Sequence, residues 1–423
     1  MLRTGRAGVA HRVVVRDGSL RSGPDRGRGV LLTLCVTEIT SWGILYYAFP
    51  VLAPAISAST GWSRALTTAG FSLGLIVSAA AGVPLGRLLD RLGPRPVMTT
   101  GSVFGTAALV WLANARSYSS FLLAWTAIGL AMSGVLYQPA FAALTRWYGT
   151  GRLSALTTLT AVGGLASTVF APLTAVLSER MDWRDTYLVL AVVLLLVTVP
   201  AHAFGLRRPW LAARTERAHR AVPPSDVSRS RPFVLLAIVF LLGAFTGYAA
   251  VIGIVPLLVD RGLSTSSAAL ALGIGGIGQV AGRLCYRWTV GRLGVAGRMS
   301  VVMVVAAGCT ALLGLLPGPT VVLAALVVLL GTSRGIVTLL QATAVSDRWG
   351  TAYYGRLNGL VLAPAQVMAA IAPWAGSALA DLLGGYPSVF FVLAGSAVTA
   401  ALLCWSTVPR PVTAGEDEPA AAA

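Results

Sequence analysis

Lysine is absent from this 423-residue chain, and charge of any kind is scarce: 11% of the residues are charged and 56% are hydrophobic. A soluble domain carries roughly 25% charged residues, so this chain has too little polar surface to face water. Without lysine there is no Walker A loop to hold a nucleotide, so the chain by itself burns no ATP. Histidine is limited to His11, His202 and His219, far apart in sequence, and acids number only 15. The clustered acids and bases that a hydrolytic or redox enzyme needs are missing. Cys35, Cys285, Cys309 and Cys404 are widely separated, sit in or beside apolar runs and form no CxxC pair. They read as buried thiols, and no metal or cofactor is expected.

What the chain has instead is length in apolar runs. A bilayer core of about 30 Å needs roughly 20 apolar residues per helix. Twelve runs qualify: 31–55, 64–85, 97–114, 120–143, 153–177, 185–204, 233–258, 266–287, 299–316, 320–344, 356–380 and 386–408. The fold class is therefore an all-α membrane protein. Residues 1–29 and 409–423 read as disordered tails. The basic, Pro-Pro-containing stretch 205–232 reads as a linker between six-helix bundles at 30–204 and 233–408.

The 32 arginines outnumber the acids to give a net charge of +17, which could suggest nucleic acid. Their placement argues otherwise. With the N-terminus inside, 26 fall on the inner segments, five (Arg64, Arg116, Arg180, Arg184, Arg261) fall outside, and Arg334 stands alone. This is the positive-inside pattern, and it expects both termini in the cytoplasm of a bacterial-type plasma membrane. The expected partners are lipid headgroups, a small solute and a proton, not nucleic acid, and the protein is expected to be a monomer.

The two halves echo each other. Arg146-Trp147 and Gly151-Arg152-Leu153 recur as Arg348-Trp349 and Gly355-Arg356-Leu357; Ala171-Pro172 recurs as Ala372-Pro373; Gly86-Arg87-Leu88 recurs as Gly282-Arg283-Leu284. Such a duplication builds carriers whose site lies between the halves at mid-depth.

After the second run the chain reads Gly86-Arg87-Leu88-Leu89-Asp90-Arg91-Leu92-Gly93-Pro94-Arg95. This resembles the loop signature G-x-L-x-D-R-x-G-x-R of the major facilitator superfamily, over residues 30–408. The resemblance implies a latch formed by Gly86, Asp90, Arg91, Gly93 and Arg95, and a cavity lined by helices 1, 4, 7 and 10. Thr40 to Pro50, followed by Gly61-Trp62-Ser63, and Gln279-Val280-Ala281-Gly282-Arg283 look like the bacterial branch near monocarboxylate and oxalate/formate carriers. By that likeness Arg283 meets a substrate carboxylate. The chain departs from the pattern where Gln279 replaces an Asp, where helix 11 has no Lys, and where Trp125 stands in place of a helix-4 Arg. No G-x-x-x-G-P antiporter pattern surrounds Pro172.

Arg334, in Gly331-Thr332-Ser333-Arg334-Gly335, is the first candidate for solute binding. A charge at mid-bilayer costs about 2.5–3.5 kcal/mol on insertion scales and marks function by default; a guanidinium there suits a carboxylate. A structural ion pair is the alternative. Glu38 is the one acid well inside an apolar run of the first half. An apolar setting favours its neutral form, which makes it a candidate proton carrier; pairing with a nearby Arg or helix is the equal alternative. Arg283 reads as either a substrate contact or a helix-end charge. Tyr46, Tyr47, Tyr137, Gln138, Tyr248, Gln279, Gln341 and Gln366 are polar positions on expected helices, some of which must line the cavity. Two motifs are decoys. Gly273 to Gly278 fits GxGxxG but follows no strand, and Gly70 to Gly74 fits GxSxG inside a helix. The expected function is secondary transport of a small organic anion by alternating access. An exporter of apolar or cationic compounds and a non-transporting sensor are the alternatives.

Overall fold

The computed structural model describes residues 24–148, 152–210, 224–290, 293–349 and 354–409. Most of the expected tails, the middle of the linker (211–223) and Gly151 of the repeat lie outside them; residues 24–29, expected as part of a disordered tail, are helical. All regular structure among the described residues is helical. Twelve helices are long and apolar enough to cross a membrane: α1 Arg28–Thr60, α2 Arg64–Leu92, α3 Pro94–Ala113, α4 Tyr118–Tyr148, α5 Ser154–Ser178, α6 Trp183–Gly205, α7 Arg231–Asp260, α8 Thr265–Tyr286, α9 Val295–Leu315, α10 Thr320–Trp349, α11 Leu357–Leu383 and α12 Tyr386–Thr407. With twelve crossings both chain ends lie on one side, here called the terminal face; the other is the far face.

Helix starts follow ordinary capping chemistry. Ser63, Ser117 and Asp182 accept from the first-turn amides of α2, α4 and α6. Outward-facing apolar residues recur at helical spacing, as in Leu270, Ile277 and Leu284 on α8 and Val192 with Leu196 on α6. Such exposed stripes need lipid for solvent. Cys285 lies beside the α8 stripe and is exposed, so the expectation of four buried thiols holds only for Cys35, Cys309 and Cys404.

Besides α10, which breaks at Ala344–Val345, three helices are irregular within their length, a property that hydropathy does not register. α1 passes through a π-helical turn at Gly43–Tyr47, all of it buried. α4 breaks at Leu136, whose backbone is extended. α5 breaks at Gly164–Leu165, between the segments ending at Gly163 and starting at Ala166.

The core shows how the halves meet. One cluster spans both, joining Tyr46, Phe71 and Trp125 to Val255, Phe390 and Tyr386. Toward the terminal face it divides in two, with Phe240, Tyr286 and Val361 in the second half and Leu34, Ala140 and Leu159 in the first. The apolar core shared by the halves therefore lies toward the far face, while toward the terminal face each half has a core of its own.

Candidate functional site

The helix pairs that position the site approach closely because they meet at glycine. A methyl on Gly331 of α10 would collide with the Gly275 carbonyl of α8, and one on Gly129 of α4 would collide with the Gly74 carbonyl of α2. The GxGxxG run is thus packing surface, as the sequence suggested. The α8–α10 contact fixes the turn that carries Arg334. Its stem passes the Gly247 backbone, and its guanidinium carbon stands 5.6 Å from the centroid of the Tyr248 ring. Among the described residues no carboxylate lies within 4 Å of it, so the alternative of a structural ion pair finds no partner there. Arg334 lines a cavity between the halves with Tyr47, Ser167 and Gln279. The cavity measures about 20 Å³, which has room for one water. The Ser167 hydroxyl is buried and unpartnered.

Facing this from the first half, α1 presents Glu38, Trp42 and Tyr46 one turn apart. Glu38 is fully buried, and its one polar neighbour is the Trp42 indole on the same face of α1. The Tyr46 hydroxyl is buried and unpartnered. The pairing of Glu38 with a neighbouring Arg is not found. Trp42 meets Tyr46 at 5.4 Å and Tyr137 at 5.0 Å between ring centroids, and Tyr46 meets Tyr47 at 5.0 Å. Tyr137 is within electrostatic reach of both Glu38 and Arg283.

Arg283 donates across the halves to the Thr160 carbonyl of α5, while its Nε is buried without a partner. It serves as a cross-link and faces the same chamber. Trp125, where related carriers place an Arg, is packed among Phe49, Phe71 and Phe121 and adds no charge. Gln138 and Gln366 are exposed, and Gln341 is half-buried; none joins the cluster around Arg334.

The loop signature is organised by its glycine. Gly93 has φ +82°, a conformation that favours glycine, and Trp210 of the linker lies against it. Trp210 donates to the Asp90 carbonyl at 3.0 Å. The Asp90 carboxylate pairs at 2.7 Å with Arg146 of α4, not with its neighbours in the motif. Arg95 donates to the Ala203 carbonyl of α6, Arg91 is exposed, and Gly86 lies in open space. The acid and its surroundings form a charged contact within the first half.

A second set of polar residues escaped the sequence reading. At the far face Arg64 makes a two-pronged pair with Asp260, at 2.8 and 2.9 Å. Asp381 of α11 accepts from the Ala65 amide at 3.1 Å, and Glu179 of α5 accepts from the Ser266 hydroxyl of α8. Asp381 stands 202 residues after Glu179, and Ser266 stands 201 after Ala65, so these two links are related by the repeat. That spacing was the available signal. Deeper, the Trp374 amide donates to Ser72 and Thr168 donates to the Gly273 carbonyl.

The Major Facilitator Superfamily model matches residues 34–373. The chain belongs to that superfamily. This facilitator is 26% identical over 399 residues to monocarboxylate transporter 11 of Mus musculus, covering 88% of this chain and 87% of the relative. It is 28% identical over 359 residues to an uncharacterized 38 kDa protein of Thermoproteus tenax, covering 84% and 90%. Its fold matches the crystal structure of a point mutant of the nucleoside transporter NupG with TM-score 0.68 and 14% identity, covering 90% of this facilitator and all of NupG. It is a multi-pass membrane transporter and not an enzyme.

Proposed function

We propose that this facilitator moves a small organic anion, a monocarboxylate in the first instance, by alternating exposure of a site between residues 30–204 and 233–408. The supporting observation is Arg334, a guanidinium at mid-depth with no carboxylate partner among the described residues, lining the cavity between the halves. An uncompensated charge there is costly unless a solute supplies the counter-ion. The carboxylate named in the relative's description is the simplest such counter-ion. The arginine bias puts the terminal face in the cytoplasm of a bacterial-type plasma membrane, so the conformer is inward-facing. Glu38, fully buried, is the candidate for a coupled proton, and Asp90 with Arg146 is the candidate latch. The protein acts as a monomer in this reading.

Uptake of labelled carboxylates into proteoliposomes, with and without a pH gradient, tests the proposal. Arg334→Ala is expected to lower uptake about a hundredfold, the cost of two charge-assisted hydrogen bonds. Unchanged uptake would remove the anion argument. The aromatic layer of Trp42, Tyr46, Tyr47 and Tyr137 beside an acid favours a second reading, export of apolar cations. Drug susceptibility of a deletion strain separates the two.

A further inference from the structure

A second recess lies between the halves at the far face. Its walls come from α1 and α2 of the first half and from α7 and α12 of the second, and it measures about 240 Å³. That volume suits a small solute, being just below the range of drug-sized pockets. The recess shares no lining residue with the cavity at Arg334. Ile252, Pro256 and Val259 give it an apolar wall. Two polar groups of α2 line it as well. Arg64 holds both oxygens of the Asp260 carboxylate, at 2.8 and 2.9 Å, the two-pronged geometry in which a guanidinium recognises any carboxylate. One turn on, the Thr67 hydroxyl is buried and has no hydrogen-bond partner. Buried hydroxyls are almost always satisfied, so this one marks a place that a bound molecule completes.

Asp260 comes from the half opposite to Arg64 and Thr67. Parting of the halves at the far face therefore takes the carboxylate away and leaves the guanidinium and the hydroxyl together on α2. We infer that Arg64 and Thr67 form a docking site for a small carboxylate at the far face, and that Asp260 occupies it in this conformer as a tethered stand-in. The solute takes the place of Asp260 on Arg64 when the far side opens, and the returning Asp260 displaces it when that side closes. The exchange is easy because the pair is partly exposed, with 41% and 34% of the two side chains accessible, and such pairs are weak in contact with water. This inference rests on the reading that the solute is a carboxylate.

The test removes the stand-in. Arg334→Met silences the central site, so carboxylate binding by that variant is read elsewhere. Dissociation constants of acetate, propionate and benzoate for the purified full-length protein come from ligand-dependent thermal stabilisation, at constant ionic strength with chloride as the reference anion. With Asp260 in place little binding is expected, because a tethered group competes at an effective concentration in roughly the millimolar range. Adding Asp260→Asn should tighten binding of at least one acid by about tenfold or more. Adding Arg64→Gln to that double variant should remove the gain, and adding Thr67→Val instead should reduce it a few-fold. No gain from Asp260→Asn, or a gain that survives Arg64→Gln, would overturn the inference. If the wild type is stabilised by these acids, Arg334→Met is not, and Asp260→Asn restores nothing, the docking site is excluded and the carboxylate proposal stands. Acids that stabilise neither the wild type nor any variant would overturn both. If Arg64→Gln does not fold, Thr67→Val decides, and a gain that it leaves unchanged counts against the site.

Discussion

The two halves of this carrier share a skeleton and differ in what they hang on it. Gly129 against Gly74 in the first half repeats as Gly331 against Gly275 in the second. Arg334 stands 202 residues after Met132, and Phe240 stands 202 after Glu38. At matched places in duplicated units, one half keeps a thioether where the other has a guanidinium, and one has a carboxyl where the other keeps a phenyl ring. Packing tolerates little change in such contacts, so glycine persists on both sides. Positions that face the chamber are released from that constraint, and charge of opposite sign has settled on opposite walls.

Three experiments sharpen or break this comparison. The largest effect is expected from Arg334→Met, which makes the second half resemble the first. It should raise stability by up to about 3 kcal/mol, the insertion cost of a mid-bilayer charge, while abolishing stabilisation by carboxylates. A loss of stability would mean that the guanidinium holds the fold together. Next come Gly129→Val and Gly331→Val. Each should cost about 1–3 kcal/mol by overpacking, measured by thermal unfolding in detergent, and a clear difference between the two would mean that the skeletons are not equivalent. The smallest effect concerns the far face. Glu179→Gln and Asp381→Asn should each weaken closure by about 0.5–1 kcal/mol, the worth of an exposed polar link. Thiol labelling of a cysteine introduced at Ser57, in the vestibule of about 240 Å³ beneath Arg64 and Asp260, should rise a few-fold in each. A rise in only one would show that the symmetry-related links do unequal work.

Most of the fold was legible in the sequence, because bilayer thickness fixes helix length and apolar composition reports it. The breaks at Leu136 and Gly164–Leu165 were not, because they are backbone events that leave the side-chain pattern untouched. Arg334 and Glu38 stood out as charges in apolar runs. Gln138 and Gln366 looked similar to Gln279 in sequence and differ from it only in helix rotation, which hydropathy does not resolve. Arg64, Asp260, Glu179 and Asp381 did not stand out, because nothing local marks a partner more than eighty residues distant.

The amide of Ala65 lies in the first turn of α2, where a helix cannot satisfy its own donors, and Asp381 of the opposite half accepts from it. Glu179 reaches the opening turn of α8 in the mirrored sense. The first half thus borrows an acceptor for one helix start from the second, while Glu179 holds the start of α8 through a side-chain hydroxyl. Opening toward the far side leaves that one amide for water to satisfy, and a first half expressed alone would carry it permanently.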